Sequence, residues 1–401
     1  MENDATETAG PLEGLKVIEM GQLIAGPFCG QLLGDMGADV VKIEAPGAGD
    51  PVRQWGPPGF PMHWEVVGRN KRCVSCDLRQ ADGQDLARRL IGGADILIEN
   101  FRPGTLERWN LNPVDLRAAD PRLIVVRMSG YGQSGPYSDR AGYGGIGEAM
   151  GGWRRIVGDP DRPPSRMGVS IGDALAASYG ALGALAALSW REKTGQGQVV
   201  DSALYEAVLQ VMESLVPDWQ MAGYERARSG SILPGIAPSN AYPCADGDLL
   251  IAGNQDTVFA RLAKAMGQPE LAADPRYSTH EARGANQTEL DLIVAAWTAP
   301  RTVAEVEAAM EAAGVPAGKI YTPADMLADP QFKARESLVE VDHPRWGKLT
   351  MQNVFPRLSE TPGRVRRTAS PAVGSDNAEV YGERLGLGEA DLAALKARGV
   401  I

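Results

Sequence analysis

The chain has 401 residues and a formal net charge of −11. With 44% hydrophobic, 23% charged and only 6% aromatic residues it is composed like a soluble globular enzyme, not a disordered or membrane chain, and its length allows two domains of ordinary size. The acidic balance argues against bulk nucleic-acid binding, which needs a positive surface, and leaves room only for a local basic pocket.

The N-terminus, MENDATETAG, is acidic and lacks the apolar core of a secretory signal, so it reads as a frayed tail. GLKVIEMG (Gly14–Gly21) reads as a strand. A small-residue helix follows from about Pro27 to Met36, then a second strand, ADVVKIE (Ala38–Glu44). This is a βαβ pattern ending in an acid. Its turn, GQLIAG, lacks the G-x-G that brings backbone up to a dinucleotide pyrophosphate, which leaves some other nucleotide-like ligand. CVSC (Cys73–Cys76) has the C-x-x-C spacing of metal and redox sites. On a strand the two sulfurs would point to opposite faces, and no second cysteine or histidine pair completes a zinc site. Helical DGQDLARRLIGG leads to ADILIEN (Ala94–Asn100) and RLIVVRMSG (Arg122–Gly130), continuous apolar runs of strand length. Such runs alternating with helices imply a parallel sheet covered on both faces. The first roughly 200 residues are therefore expected to form a doubly wound, Rossmann-like α/β domain.

GYGGIG (Gly142–Gly147) fits G-x-G-x-x-G on paper, but loop-like residues precede it where the dinucleotide fingerprint needs a strand. It reads as a flexible turn or as backbone approaching a ligand. In RMGVSIGDALAASYGALGAL (Arg166–Leu185), Asp173 is followed by seventeen uncharged residues. The run is long enough to raise a membrane question, yet its Ala, Gly and Ser content fits a buried helix of a soluble protein. Asp is a favoured N-cap, and the helix terminus stabilises its negative charge. The same placement suits a nucleophile, because carboxylates serve in covalent catalysis and Gly172 leaves space beside it.

KTGQGQ ends that helix, and QVVDSALYEAVLQVMESL continues as strand and helix. The polar, Gly/Pro-rich stretch Met221–Ser239 reads as a linker, and AYPCADGDLLIAG as two short strands about a tight turn. Amphipathic helices VFARLAKAMG and TVAEVEAAMEAAG then suggest a smaller α+β domain. VEVDHPRWGKLTM (Val339–Met351) reads as a hairpin and EADLAALKARGVI as a last short helix. His63, His280 and His343 are far apart, so no histidine metal site is expected, and no G-x-S-x-G elbow occurs. Four scattered cysteines fit a reducing, cytoplasmic compartment.

Several blocks carry a resemblance in the same order along the chain: PLEGLKVIEMGQLIAGPFCGQLLGDMGADVVKIEAPGAGDPVR, GRNKRCVSCDLRQADG, ADILIENFRPG, RLIVVRMSGYGQSGPY, SIGDALAA and REKTGQGQ. They resemble the class III CoA-transferase family, which includes formyl-CoA and carnitine CoA-transferases. The resemblance implies that Asp173 is the catalytic nucleophile. It also implies coenzyme A contacts at Ile24, Ala25, Arg79, Asn100, Phe101, Arg102 and Arg108, with Tyr143 at the mouth of the site. Coenzyme A enters as a substrate, and no metal or other cofactor is implied. The partners implied are an acyl-CoA and a small carboxylic acid, with neither nucleic acid nor membrane. The implied architecture is an interlocked homodimer whose chains have a large domain over 1–205, a linker over 206–235, a small domain over 236–325 and a return segment over 326–401.

Ala45 stands where the formyl enzyme carries an arginine, Ile24 where it carries a glutamine, and SILPGIAPSN where it has a glycine-rich loop. The segment from Gly145 to Asp173 looks more like the branch that uses succinyl-CoA and C4–C5 dicarboxylates of the mesaconate, citramalate or itaconate type. Arg166 and the Arg154–Arg155 pair are candidates for a cation facing the distal carboxylate, with a plain surface position as the alternative for each. Two rivals differ in class. The α-methylacyl-CoA racemases resemble RAGHD where this chain has RAGYG, and Tyr143 is a poor base near pH 7 compared with histidine. A non-catalytic acyl-CoA-binding protein would have no need of Asp173.

Overall fold

The computed structural model describes residues 10–401, so the N-terminal tail reading lies outside the described residues. The chain divides into two compact units. The first comprises residues up to Trp153, Met167–Leu215 and Lys333–Ile401; the second comprises Arg154–Arg166 and Val216–Phe332.

The first unit is built on six parallel strands: β1 (Lys16–Glu19), β2 (Asp39–Glu44), β3 (Lys71–Ser75), β4 (Ile96–Glu99), β5 (Ile124–Ser129) and β6 (Val199–Ala203). Their spatial order is β3-β2-β1-β4-β5-β6. The central strands are apolar on both faces because helices cover both, as the continuous runs predict. On one face, the helices Ala25–Asp35 and Ile171–Thr194 pack over Val17, Val40, Ile96, Ile98, Ile124 and Val126. On the other, Leu86, Leu90 and Ile91 of the helix Ala81–Ile91, with Val380 and Tyr381 from near the C-terminus, cover Ile18, Val41, Leu97 and Val125. The doubly wound α/β reading therefore holds. The hairpin of β10 (Leu338–His343) and β11 (Gly347–Gln352) also forms as expected.

The edge strand β3 was not legible, since Lys71 and Arg72 look like solvated residues. Lys71 is instead fully buried and ion-paired to Glu19 (2.7 Å). Cys73 and Cys76 diverge as strand alternation requires. Cys73 packs with Val52, Trp64, Val67 and Ala369, and Cys76 joins the cluster of Val74 and Leu78 on the other face. Burial pushes both thiols up to about 12, which keeps them protonated and unreactive.

The long helix departs from expectation at its start. Its N-cap is Ser170 and its first residue Ile171, so Asp173 stands in the first turn and not at the N-cap position. Nor is it buried all round. Gly172, Ala176, Gly180, Ala184 and Ala187 face the interior, while Leu182, Leu185 and Trp190 are exposed. GYGGIG likewise differs from a flexible turn: Gly144–Met150 is a helix with Tyr143 as its N-cap. Gly147 is required by packing, because a Cβ there would lie 2.7 Å from Leu204 Cβ.

The second unit carries an antiparallel sheet of β7 (Ser239–Cys244), β8 (Gly247–Ala252) and β9 (Ala317–Lys319), with the order β7-β8-β9. Tyr242, Leu249 and Ile251 pack with Phe259 and Leu262 of the helix Asp256–Ala265 and with Val306 and Met310 of the helix Val303–Ala313. Thr302 caps the latter in a reciprocal box with Glu305.

Candidate active site

In an open α/β sheet, a crevice forms where successive connections leave in opposite directions, at the carboxyl ends of the strands. Here that point lies between β1 and β4. A pocket of about 270 Å³ opens there, lined by Gln22, Leu23 and Ala25 after β1, by Asn100–Pro103 after β4, by Met128–Gly130 at the end of β5, and by Arg140–Tyr143 and Asp173. Glycine lets these segments meet. A Cβ on Gly21 would lie 2.6 Å from Gly26 Cα, and one on Gly130 would lie 2.8 Å from Gly142 Cα.

Asp173 is half-buried. Its Oδ2 fills the space that a Cβ of Gly144 would take, so only glycine at 144 admits the carboxylate in this position. Gly172 serves the same contact from the other side, where a Cβ would lie 2.9 Å from the Gly144 carbonyl oxygen. Two short helical starts thus close on one carboxylate.

The loop after β4 is held from below. Glu99 Oε2 accepts from Phe101 N–H (2.8 Å), and Glu99 Oε1 accepts from Arg127 Nε (2.6 Å). Arg127 also donates to Glu107 (3.0 Å). Asn100 bonds Gln22 at both backbone groups, accepting from its N–H (2.7 Å) and donating to its carbonyl (2.8 Å). Burial pushes the Glu99 carboxyl up to about 7, with the Arg127 guanidinium pulling the other way.

Of the residues singled out from sequence, Ala25, Asn100, Phe101, Arg102, Tyr143 and Asp173 line this one pocket. Arg79 and Phe101 line a second pocket of about 210 Å³, with Ala45, Leu78 and Trp109; the two pockets share Gln22 and Phe101. Arg79 is exposed and paired with Asp77 (2.8 Å). Ile24 is buried as the N-cap of the helix Ala25–Asp35 and lines neither pocket. Arg108 lines neither and donates to Thr105 Oγ1 (2.9 Å). Arg155 is tied to Glu225 (2.5 Å), and Arg154–Arg166 belongs to the second unit.

Arg140 is the lining cation that sequence reasoning passed over. Its guanidinium lies 3.6 Å above the Tyr137 ring. Neither Arg140 nor Arg102 forms an ion pair among the described residues. The signal was present in SGPYSDRAGYG, an arginine between two glycine-rich turns.

The description of CoA-transferase family III matches residues 12–377. The chain is 55% identical over 395 residues to the succinyl-CoA–D-citramalate CoA-transferase of Chloroflexus aurantiacus, covering 98% of each chain. It is 41% identical to the succinyl-CoA–L-malate CoA-transferase beta subunit of the same organism, covering 99% of this chain and 100% of that one. Among solved structures, a CAIB/BAIF family protein from Brucella suis superposes with a TM-score of 0.83 at 36% identity, over 94% of this chain and 100% of that one.

A raised carboxyl pKa means that the folded state keeps a proton the unfolded chain releases. The Glu99 contribution to stability should therefore fall as pH rises from 4.5 towards about 7, and level off above. In thermal melts between about pH 5 and pH 8, Glu99→Gln should gain on the parent as pH rises. A gap that stays constant across that range would remove Glu99 as the titrating group.

Proposed function

The chain belongs to CoA-transferase family III, and from that footing we propose that it moves coenzyme A from succinyl-CoA to a C4–C5 dicarboxylate, with Asp173 as the covalent nucleophile. The observation that carries this reading is the Asp173 carboxylate opening onto a pocket that is also lined by two guanidinium groups, those of Arg102 and Arg140, which form no ion pair among the described residues.

The steps balance without any redox change. A carboxylate oxygen of Asp173 attacks the thioester carbonyl, the C–S bond breaks, and CoA leaves as a thiolate with the bonding pair. The thiolate then attacks the aspartyl carbonyl of the mixed anhydride and expels succinate, leaving an aspartyl-CoA thioester. The acceptor carboxylate attacks that carbonyl and releases the thiolate again. Finally the thiolate attacks the acceptor carbonyl of the second anhydride, which forms the new acyl-CoA and restores Asp173. Each tetrahedral intermediate carries an oxyanion, and the backbone N–H groups at the start of the helix Ile171–Thr194, which bears Asp173 in its first turn, are the candidate stabilising donors.

Coenzyme A is long, and the two adjoining pockets suit its two ends. The thioester end belongs at Asp173, and the nucleotide end belongs beside Phe101, Trp109 and Arg79. Arg binds phosphate through paired donors, so Arg79, itself exposed, can exchange its Asp77 partner for a phosphate at little cost. Arg102 and Arg140 supply positive charge for substrates that bear a second carboxylate. The names of the citramalate and malate relatives support a dicarboxylate acceptor of that size. A reducing cytoplasm suits four free thiols.

The exposed apolar residues Leu182, Leu185 and Trp190, with Ile146, Met150 and Leu209 on the helices Gly144–Met150 and Leu204–Gln210 that pack with theirs, favour a homodimer that covers them. Sedimentation at micromolar concentration should give twice the mass of the chain, and a monomer would reject the dimer.

Asp173→Ala should lose more than about 1,000-fold in turnover while still binding CoA. Incubation of the parent with succinyl-CoA should add CoA to the peptide that contains Asp173, as read by mass spectrometry. A parent that transfers CoA with no adduct, or an active Asp173→Ala, would refute the covalent route. Against a panel of acids, Arg140→Ala should raise KM about tenfold for dicarboxylates and far less for monocarboxylates of equal length. An equal rise for both would reject Arg140 as the partner of the second carboxylate.

A further inference from the structure

Beneath the turn Gly21–Ala25 lies a set of charges that the transfer steps leave unused. Glu19, Lys42 and Lys71 are wholly buried and Asp50 is nearly so. Lys42 Nζ lies 2.8 Å from Glu19 Oε1, 2.8 Å from Asp50 Oδ2 and 2.7 Å from the Gly21 carbonyl oxygen. The ammonium donates hydrogen bonds to Glu19 and to the Gly21 carbonyl, and it is ion-paired with Asp50. Burial opposes the Lys42 charge, but Glu19, Asp50 and Glu44 outweigh it and hold its pKa well above the usual lysine range. Lys71 takes the other Glu19 oxygen (2.7 Å) and the Pro27 carbonyl (2.6 Å).

These bonds converge on the backbone of one turn. The Gly21 carbonyl accepts from Lys42. Gln22 is bracketed by Asn100 at both its N–H and its carbonyl. Leu23 N–H donates to Asp50 Oδ1 (3.0 Å), which also accepts from Val52 N–H (3.0 Å). Side chains from β2, from the loop after it and from the end of β4 therefore hold three successive residues. Leu23 needs them, for its φ of 64° is left-handed, a conformation that is unfavourable for a non-glycine residue. Gln22, Leu23 and Ala25 are pocket wall.

We propose that Lys42 is a positioning residue for the acyl-CoA. It touches no substrate; through Asp50 and the Gly21 carbonyl it sets where the Gln22–Ala25 wall stands. The proposal rests on the reading of this pocket as the CoA site. Asp173 is held separately, by the helix Ile171–Thr194 and by Gly144, so loss of the Lys42 bonds acts on binding and spares the chemistry.

The test compares Lys42→Met and Asp50→Asn with the parent, varying succinyl-CoA and counting active sites by the aspartyl-CoA adduct. In Lys42→Met the KM for succinyl-CoA should rise about tenfold while kcat per active site stays within about threefold. Asp50→Asn should show a smaller rise, because its side-chain oxygen still accepts from Leu23 N–H. A fall in kcat per active site with unchanged KM would overturn the proposal, and so would unchanged constants in folded Lys42→Met with only a lower melting temperature. Should Lys42→Met not be recovered folded, Asp50→Asn decides, and a parental KM there overturns the proposal. Failure of the underlying reading is distinct: the parent itself would then form no adduct and transfer no CoA.

Discussion

Glu19, at the carboxyl end of the central strand, takes two buried ammonium groups, one on each oxygen. Lys42 and Lys71 lie on the next two strands outward, so one carboxylate ties β1 to side chains from both β2 and β3. The first helix must come close as well. Gly30 presents bare backbone to Glu19 Oε2, where any Cβ would collide, and Lys71 bonds the Pro27 carbonyl of that helix. Removing one member of such a group leaves an uncompensated buried charge, which costs about 3–5 kcal/mol. Asp50 and Glu44 carry the network outward: Glu44 accepts from Asp50 N–H (2.9 Å) and forms a two-bond pair with Arg53 (2.7 Å for each bond). The wall of the pocket rests on this ionic floor, with no apolar layer between.

The opposite wall is built by a different principle. Around Asp173 there is close approach of small residues, with Gly144 and Gly172 leaving room for one carboxylate between two helix starts. Further along the long helix, Gly180 would place a Cβ 3.2 Å from Val126 Cγ1, and Ala176, Ala177 and Ala184 are fully buried. A helix surface of Gly and Ala lies nearer to the sheet than one of Leu, and a rigid, closely seated helix holds its first-turn carboxylate still. Strong electrostatics on one side and tight sterics on the other fix two walls of the same crevice.

Much of this was legible in the order of residues. Continuous apolar runs such as Ile96–Glu99 and Ile124–Ser129 marked the inner strands, because only a strand buried on both faces is apolar at successive positions. ADILIENFRPG and SIGDALAA located Asn100, Phe101, Arg102 and Asp173, which do meet in one pocket. Lys71 and Lys42 were illegible, since a buried lysine looks like any other lysine until its partners are known. The flexible-turn reading of GYGGIG failed for a related reason: a glycine that makes room for a neighbour looks like a glycine that bends the chain.

By itself the sequence determined the parallel α/β layer order, through periodicity and run length, and it determined the presence of a carboxylate at the start of an uncharged helix. Both are local properties, set by residues within a few positions of one another. The tertiary structure alone decided that Asp173 lies against Gly144, in the first turn of its helix and not at the N-cap position. It also decided that Arg140 and Arg102 share the pocket while Arg108 does not, and that Glu19 binds lysines far along the chain. Those contacts depend on where separate strands and helices come to rest, and a short polar or charged side chain carries no local mark of the partner that packing will bring to it.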